Sequence, residues 1–460
     1  MIEVALIRPG PIQGGSVHPY MRRRHGDEQP DLPHPSMEQA LGKTLGVPLF
    51  QEQMMQIAID CAGFSPAEAD RLRQAMSSKR GPERIEELRE AMLTGMAARG
   101  IPGEVARDIY AKVLAFSSYG FPESHAISFA YLVYASAWLK CYYPAAFTAA
   151  LLRAQPMGFY SPASLIGDVR RHGVRVRGAD VNASGILATL EDPIHNDRPS
   201  SPPGLDADRP RGTGKQAGTE QAPSGGRPVP GQPAIRLGLA AVRNLGTEPA
   251  ARIVAGQPYT GLEDFARRTG LPARALEALA MAGAFGCFGV PRREALWAAG
   301  AAATIRPGQL PGTTVGLGAP PLPAMTAAQE TFADLWATGT YGTHPLEHVR
   351  QRLAHDGVIP AAGLRTARPG AAVVVAGLVT HRQQPGTARG VVFLSLEDET
   401  GMANVICPPG VWQRYRRIAM DASALLVYGR VERLDGSVSL LATRLRRMRV
   451  AAAPPSRDFR

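Results

Sequence analysis

The chain has 460 residues, 45% of them hydrophobic, with a formal net charge of +11 and a pI near 9.8. That length and apolar content support roughly two to four domains with real cores, and the charge favours a polyanionic partner, with a merely arginine-rich composition as the alternative. Cys61, Cys141, Cys287 and Cys407 are spaced too widely for a zinc knuckle or a disulfide framework, which fits a reducing cytoplasm, and the first residues lack a signal-peptide layout.

In chain order, residues 1–185 read as mainly helical. Arg8-Pro-Gly-Pro11 is followed by Tyr20-Met-Arg22-Arg23-Arg24-His25. Three adjacent arginines beside an aromatic suit a nucleic-acid backbone; an exposed basic loop is the alternative. Ser65-Pro66-Ala67-Glu68 predicts a helix start, with Ser as cap, Pro in the first turn and Glu closing a capping box. That helix carries Arg73 and Gln74 and leads to Lys79 and Arg80. Arginine forks and a lysine point charge suit phosphate oxygens, or the cations simply complement the helix dipole on a solvated face. Ile85, Leu88, Met92 and Met96 keep helical spacing, as do Val105, Ile109, Val113 and Phe116, with a Gly100–Gly103 turn between them.

After Tyr119-Gly120-Phe121 the chain turns, and Ser124 and His125 stand where an apolar run begins. The run, Ala126–Leu139, is 14 residues long, short of the ~20 that a membrane-spanning helix needs, so it is expected to be a buried helix. A helix N-terminus suits phosphate; a capping or packing histidine is the plainer alternative.

Residues 186–234 have little apolar content and no period, as expected of a disordered linker or insertion. Helices return over 235–300. There Gly238–Val254 reads as a short helix, an Asn244-Leu245-Gly246 turn and a second helix. Asn244 and Gly246 tolerate left-handed angles, so the turn can offer backbone amides to a phosphate. With Arg243 and Arg252 nearby this suits a helix-hairpin-helix DNA-binding element; an ordinary helical hairpin stays open. Residues 301–370 read as linker and short helices.

From about 371 the period changes to two. Val373–Thr380, Val391–Glu399, Met402–Ile406, Ala424–Leu434 and Ser437–Leu445 are expected strands, with a helix near Val411–Ile418. Five strands with a helix after the third imply an OB-fold barrel over 371–450, followed by a tail at 451–460. Arg414, Arg416 and Arg417 are candidate DNA contacts there, with Phe393, Trp412, Tyr415 and Tyr428 as aromatics shared between core and platform. The tail Arg444-Leu-Arg446-Arg447 adds charge near the last strand.

No catalytic residue and no metal ligand is assigned. Asp206-Ala-Asp208 is the only Asp-x-Asp and lies in the linker, while Glu397-Asp398-Glu399 reads as a strand-end turn. Neither suits a two-metal site, and nucleotide-loop, serine-hydrolase and zinc-protease motifs are missing.

Several blocks in order resemble the second half of bacterial family C DNA polymerases, the polymerase III alpha type. They are Val4-Ala-Leu-Ile-Arg-Pro-Gly-Pro-Ile-Gln-Gly14, Leu49-Phe-Gln-Glu-Gln-Met-Met-Gln-Ile57, the Arg73 helix, Tyr119-Gly-Phe-Pro-Glu-Ser-His125, Ala135-Ser-Ala-Trp-Leu-Lys140 and Gly173-Val-Arg-Val-Arg-Gly-Ala-Asp-Val-Asn182. Pro122-Glu123 and Gln155-Pro-Met-Gly-Phe-Tyr160 point to the error-prone branch.

The resemblance implies helical fingers over 1–185, then the helix-hairpin-helix and OB blocks, and template-directed addition of deoxynucleotides in DNA replication and damage-tolerant repair. Arg73, Lys79 and His125 would face the incoming deoxynucleoside triphosphate, and Gln74 stands where a second arginine is common. Partners would be primer-template and single-stranded DNA, the sliding clamp and other damage-tolerance proteins, although Gln309-Leu310 lacks the aromatic end of a clamp-binding peptide. Mg2+ is expected for the complete enzyme, with its site in a palm that would lie before residue 1. The expectation is therefore a C-terminal fragment lacking the palm, whose own enzymatic activity stays undecided, and which tends to aggregate through its palm-facing surface. A non-catalytic DNA-binding or scaffolding chain is the alternative, and a split gene with a separately encoded palm is a third reading.

Overall fold

A computed structural model describes the chain except for residues 7–16, 77–80, 117–120, 193–230, 307, 386–387, 389, 435–436, 451–452, 455 and 460. Lys79, Tyr119, Gly120, Arg8–Pro11 and the Asp206/Asp208 pair lie outside the described residues, as does most of the expected linker. The chain divides into two units, Met1–Trp138 and Leu139–Arg460.

The described part of the first unit is helical. The Ser65 capping box forms as the sequence predicts: Glu68 accepts from the Ser65 N–H and hydroxyl, both at 2.8 Å, and the Glu68 N–H donates back to Ser65 Oγ. It starts the Pro66–Met76 helix, which buries Leu72, Ala75 and Met76. The apolar run from Ile85 to Met96 is broken between the Gly81–Glu86 and Arg89–Ala98 helices, yet Ile85, Met92 and Met96 are all fully buried. The Gly103–Phe116 helix adds Ile109, Val113 and Phe116 to the same core. Gln53 is buried with them and every polar atom is used: its amide donates to Ala40 O and Thr44 Oγ1, and its carbonyl accepts from the Leu49 and Phe50 N–H groups. A buried amide with four partners fixes the start of the Gln51–Ala62 helix.

The apolar run after His125 departs from expectation. It is a helix, Glu123–Tyr142, but Ala126 alone is buried. Ile127, Leu132, Val133 and Trp138 are exposed, with Tyr131 at 73% and Tyr134 at 74%. The correction has a plain cause. A helix that is apolar on all sides needs partners all round to be buried, and among the described residues only its start, at Ala126, packs into a core.

In the second unit, Val176–Arg177 (β1), Thr189–Glu191 (β2) and Ala234–Arg236 (β3) form a small sheet in the order β1-β3-β2. Thus the described ends of the expected linker are strands. A helical core follows, built on Leu239, Val242, Leu245, Ile253, Phe265, Leu276, Leu279 and Phe285. The barrel strands are Ala372–Gln383 (β5), Val392–Asp398 (β6), Gly401–Cys407 (β7), Ala424–Leu434 (β8) and Ser437–Arg447 (β9), with the Pro409–Asp421 helix after the third. Val358–Ile359 (β4) and Arg457–Phe459 (β10) add parallel edges on β5.

Closure depends on β5, whose first half pairs antiparallel with β8 and whose second half pairs with β6. At the change of partner Gly377 lies against Leu396, where a Cβ would sit 2.6 Å from the Leu396 Cβ; a side chain there would force the strands apart. Inside the barrel Val375, Val379, Leu394, Leu396, Val405, Leu425 and Val427 form one core. The result is helical domains followed by a five-stranded OB barrel.

Candidate nucleic-acid interface

In the first unit most of the candidate cations already have partners. Arg22 and Arg23, on the Val17–His25 helix, clamp Glu28 from its two oxygens at 2.8 and 2.9 Å, and Arg23 also donates to Leu45 O. The two guanidiniums hold the Glu28 carboxyl below its usual range. Arg24 is exposed and makes no ion pair among the described residues. Arg73 donates to Asp70 Oδ1 at 2.8 Å, and Gln74 donates to the other oxygen. The triple arginine is therefore partly a structural clamp, a role its spacing could not reveal because Glu28 lies beyond the helix.

His125 is an exposed residue in the first turn of its helix. Its ring meets the edges of Phe121 and Phe129, at centroid distances of 5.1 and 4.6 Å. The helix start is already served by acids: the Glu123 N–H donates to Glu52 Oε2 at 2.9 Å, and Lys43 bridges both Glu123 oxygens at 2.7 Å. His125 here packs against aromatics rather than capping.

In the second unit the Asn244 turn has the expected backbone. Asn244 has φ +62° and Gly246 φ +71°, and they lead into the Thr247–Gly256 helix. The first arm is a single 3-10 turn, Leu239–Ala241, rather than an α-helix. Val242 and Leu245 anchor the turn in the core while Arg243, Asn244, Gly246 and Thr247 stay exposed. The N–H groups of Gly246, Thr247 and Glu248 have no protein acceptor among the described residues, and Pro249 has no N–H to satisfy. Helix N-termini leave such donors open, and they suit a phosphate oxygen. Arg243 lies over the Trp336 ring at 5.0 Å. Arg252 is exposed on the next turn.

On the barrel, Arg414, Arg416 and Arg417 are exposed on the Pro409–Asp421 helix without ion pairs among the described residues. Trp412 is buried in the barrel core, whereas Tyr415 is half-buried against it with the Arg414 guanidinium over its ring at 5.5 Å. Phe393 is open on β6, and Tyr428 lies under Arg444 at 5.5 Å.

The carboxylates at the β6 end do not fit a Mg2+ pair. Asp398 is fully buried and accepts from the N–H groups of Ala361, Thr400 and Gly401, from the Thr400 hydroxyl and from Arg350. Arg350 also pairs with Glu399. Glu397 is buried against Ser164 Oγ at 3.1 Å and Arg171 at 3.5 Å, and burial raises its carboxyl. These acids hold the strand turn and the Pro162–Arg171 helix in place. Among the described residues no group of three or more His, Cys, Asp or Glu is arranged to hold a metal, and no helix is long and apolar enough to cross a membrane.

Comparison with known proteins agrees with this geometry. Residues 1–100 match the bacterial DNA polymerase III alpha subunit finger domain, 173–295 a helix-hairpin-helix motif and 373–447 an OB-fold nucleic acid binding domain. In chain order, then, the chain is similar to polymerase III alpha-type fingers and to two nucleic-acid-binding modules.

The whole chain is similar to error-prone DNA polymerases. It is 53% identical to that of Mycolicibacterium paratuberculosis, covering 100% of this chain and 39% of the relative. It is also 53% identical to that of Nocardia farcinica, again over 100% of this chain and 38% of the relative. The chain therefore spans about two fifths of the length of the curated relatives it matches. Among solved structures, asparaginyl-tRNA synthetase from Pyrococcus horikoshii aligns with 21% of this chain and 23% of its own, at 21% identity and a TM-score of 0.17.

Proposed function

We propose that this chain works as the C-terminal part of an error-prone DNA-directed DNA polymerase, a cytoplasmic nucleotidyltransferase of replication and damage repair that binds primer-template DNA and the incoming deoxynucleoside triphosphate. One observation carries the reading: half-identity to error-prone polymerases runs through all 460 residues, across fingers, hairpin and barrel in that order. On this reading residues 1–185 are the fingers, 235–300 the hairpin region and 371–450 the barrel. Arg73, Lys79 and His125 meet the triphosphate. Arg22, Arg23 and Arg24 lie toward the DNA backbone, with Arg24 making the contact because the other two hold Glu28. Arg243, Asn244, Gly246 and Arg252 grip phosphates at the hairpin, and Arg414, Arg416 and Arg417 do so at the barrel. The sliding clamp and other damage-tolerance proteins are further partners.

Mg2+ and the carboxylates that hold it belong, in this proposal, to the three fifths of the relatives outside the matched portion. The same portion covers the exposed Glu123–Tyr142 helix, since an open apolar face of this kind marks an interaction surface. The test is primer extension with Mg2+. The purified chain is expected to bind primer-template DNA without extending it, and extension is expected once the remaining polymerase portion is added. Extension by the chain alone would refute the division of labour. Binding of DNA without rescue would favour a scaffolding role, and no DNA binding at all would overturn the proposal.

A further inference from the structure

Arg444 and Arg446, which the sequence marks only as charge near the last strand, take a defined place on the barrel. On the outer face of the β8–β9 hairpin Tyr428 pairs with Arg444 across the strands, Leu426 with Arg446 and Arg430 with Leu441. The register shifts by one residue between Tyr428 and Gly429, leaving Thr443 as the extra residue, its hydroxyl donating to Tyr428 O at 3.1 Å. That bulge sets the phase. Leu445 turns into the core and Arg444 and Arg446 turn out, on the same face as Tyr428; one residue of slip would reverse every one of them. Gly429 makes the bulge possible, because a Cβ there would meet Leu441 O at 2.4 Å and the Leu440 side chain at 2.9 Å.

Three arginines therefore surround one aromatic. The Arg444 guanidinium lies over the Tyr428 ring at 5.5 Å, Arg446 reaches the Tyr428 hydroxyl at 3.5 Å, and Arg430 follows two residues along β8, about 7 Å away. All three are exposed and none is ion-paired among the described residues; within strands β8 and β9 the one acid is Glu432, further along β8. The contrast with the other hairpin decides the assignment. β6 and β7 expose Phe393 and Met402, but the sequences Val392–Asp398 and Gly401–Cys407 contain no lysine or arginine. That face has apolar surface and no cation for a phosphate.

We propose that the β8–β9 face is a second barrel site for single-stranded DNA, with Arg430, Arg444 and Arg446 on successive phosphates and Tyr428 beneath a base. The proposal rests on the DNA-binding reading above and deepens it. The ligand class follows from the chemistry: forked donors suit phosphate oxygens, and an aromatic with an adjacent guanidinium is the usual platform for an unpaired base.

The test uses the full chain and a fluorescein-labelled oligothymidylate, with anisotropy read across a salt series. Arg444→Gln with Arg446→Gln should weaken binding at least about tenfold at low salt and reduce the log–log salt slope by about 1.4, two contacts at about 0.7 each. Arg444→Lys with Arg446→Lys should keep most of the slope. Tyr428→Leu should weaken binding with the slope unchanged. Melting temperatures of all variants establish that each is folded. Wild-type affinity and slope in the Gln pair, while the parent binds, would overturn this site and leave the DNA-binding reading intact. A parent that ignores the oligonucleotide would remove both. Equal loss of polyglutamate binding in the Gln pair would overturn the DNA assignment in favour of an acidic protein partner.

Discussion

Two helices only a few residues apart in the chain show what an apolar pattern does and does not specify. Gly103–Phe116 carries its apolar residues on one face, and Ile109, Val113 and Phe116 are sealed in the core. Glu123–Tyr142 is richer in aromatics and aliphatics, yet leaves them open. A stripe tells the chain which side goes inward; an all-round apolar helix states only that something must cover it. The strongest way to break this comparison is at the sealed helix. Phe116→Ala should cost roughly 3–5 kcal/mol, the range for emptying a fully buried phenylalanine site. Chemical denaturation checks it, and a loss below about 1 kcal/mol would mean that the site is not sealed.

A sealed polar group sharpens the contrast from the other side. His344 is buried, its Nδ1 accepts from the Leu346 N–H at 3.2 Å, and its Nε2 has no protein partner among the described residues. Burial pushes its pKa down to about 4, against a smaller opposing pull from Asp398; Arg171, Arg350 and His348 push it further down. The unfolded chain takes up this proton near pH 6.5 while the folded chain resists until about 4, so stability falls as pH drops through that window. Between pH 7 and 5 the loss from this residue should be about 2 kcal/mol. Glu397 has the opposite sign: its raised carboxyl favours the fold at low pH and that contribution fades as pH climbs above 4.5 toward its folded value. Denaturation midpoints at the two pH values, compared between the parent and His344→Gln, isolate the histidine. An unchanged pH slope in the variant would exclude it.

Where local chemistry decides the outcome, the sequence was readable. Ser65 and Glu68 cap their helix, and Ser65→Ala should cost about 1 kcal/mol by removing that box, measurable as a lowered melting temperature. The five barrel strands were legible because alternation with period two is a local signal. The positive φ of Asn244 and Gly246 was legible for the same reason. What escaped depends on distant partners. Glu28 claims Arg22 and Arg23 across a turn, Asp398 is consumed by Ala361 and Arg350, and Trp412 belongs to a core assembled from five strands. The outward phase of Arg444 and Arg446 depends on the bulge at Gly429, whose place is set by the partner strand.

The smallest expected effect tests the open helix. Tyr131 and Tyr134 are about three-quarters exposed, so Tyr131→Ser with Tyr134→Ser should change folding stability by no more than about 0.5 kcal/mol. The same pair should reduce self-association, because it removes aromatic area from a contiguous apolar surface. Denaturation and light scattering on one sample read both quantities. A stability loss near 2 kcal/mol would show that these rings are covered in the isolated chain, and the distinction from the Phe116 helix would then collapse. Unchanged stability with a lower scattering intensity would establish that the helix awaits a partner surface, since only an uncovered ring can be removed without cost to the fold and with benefit to solubility.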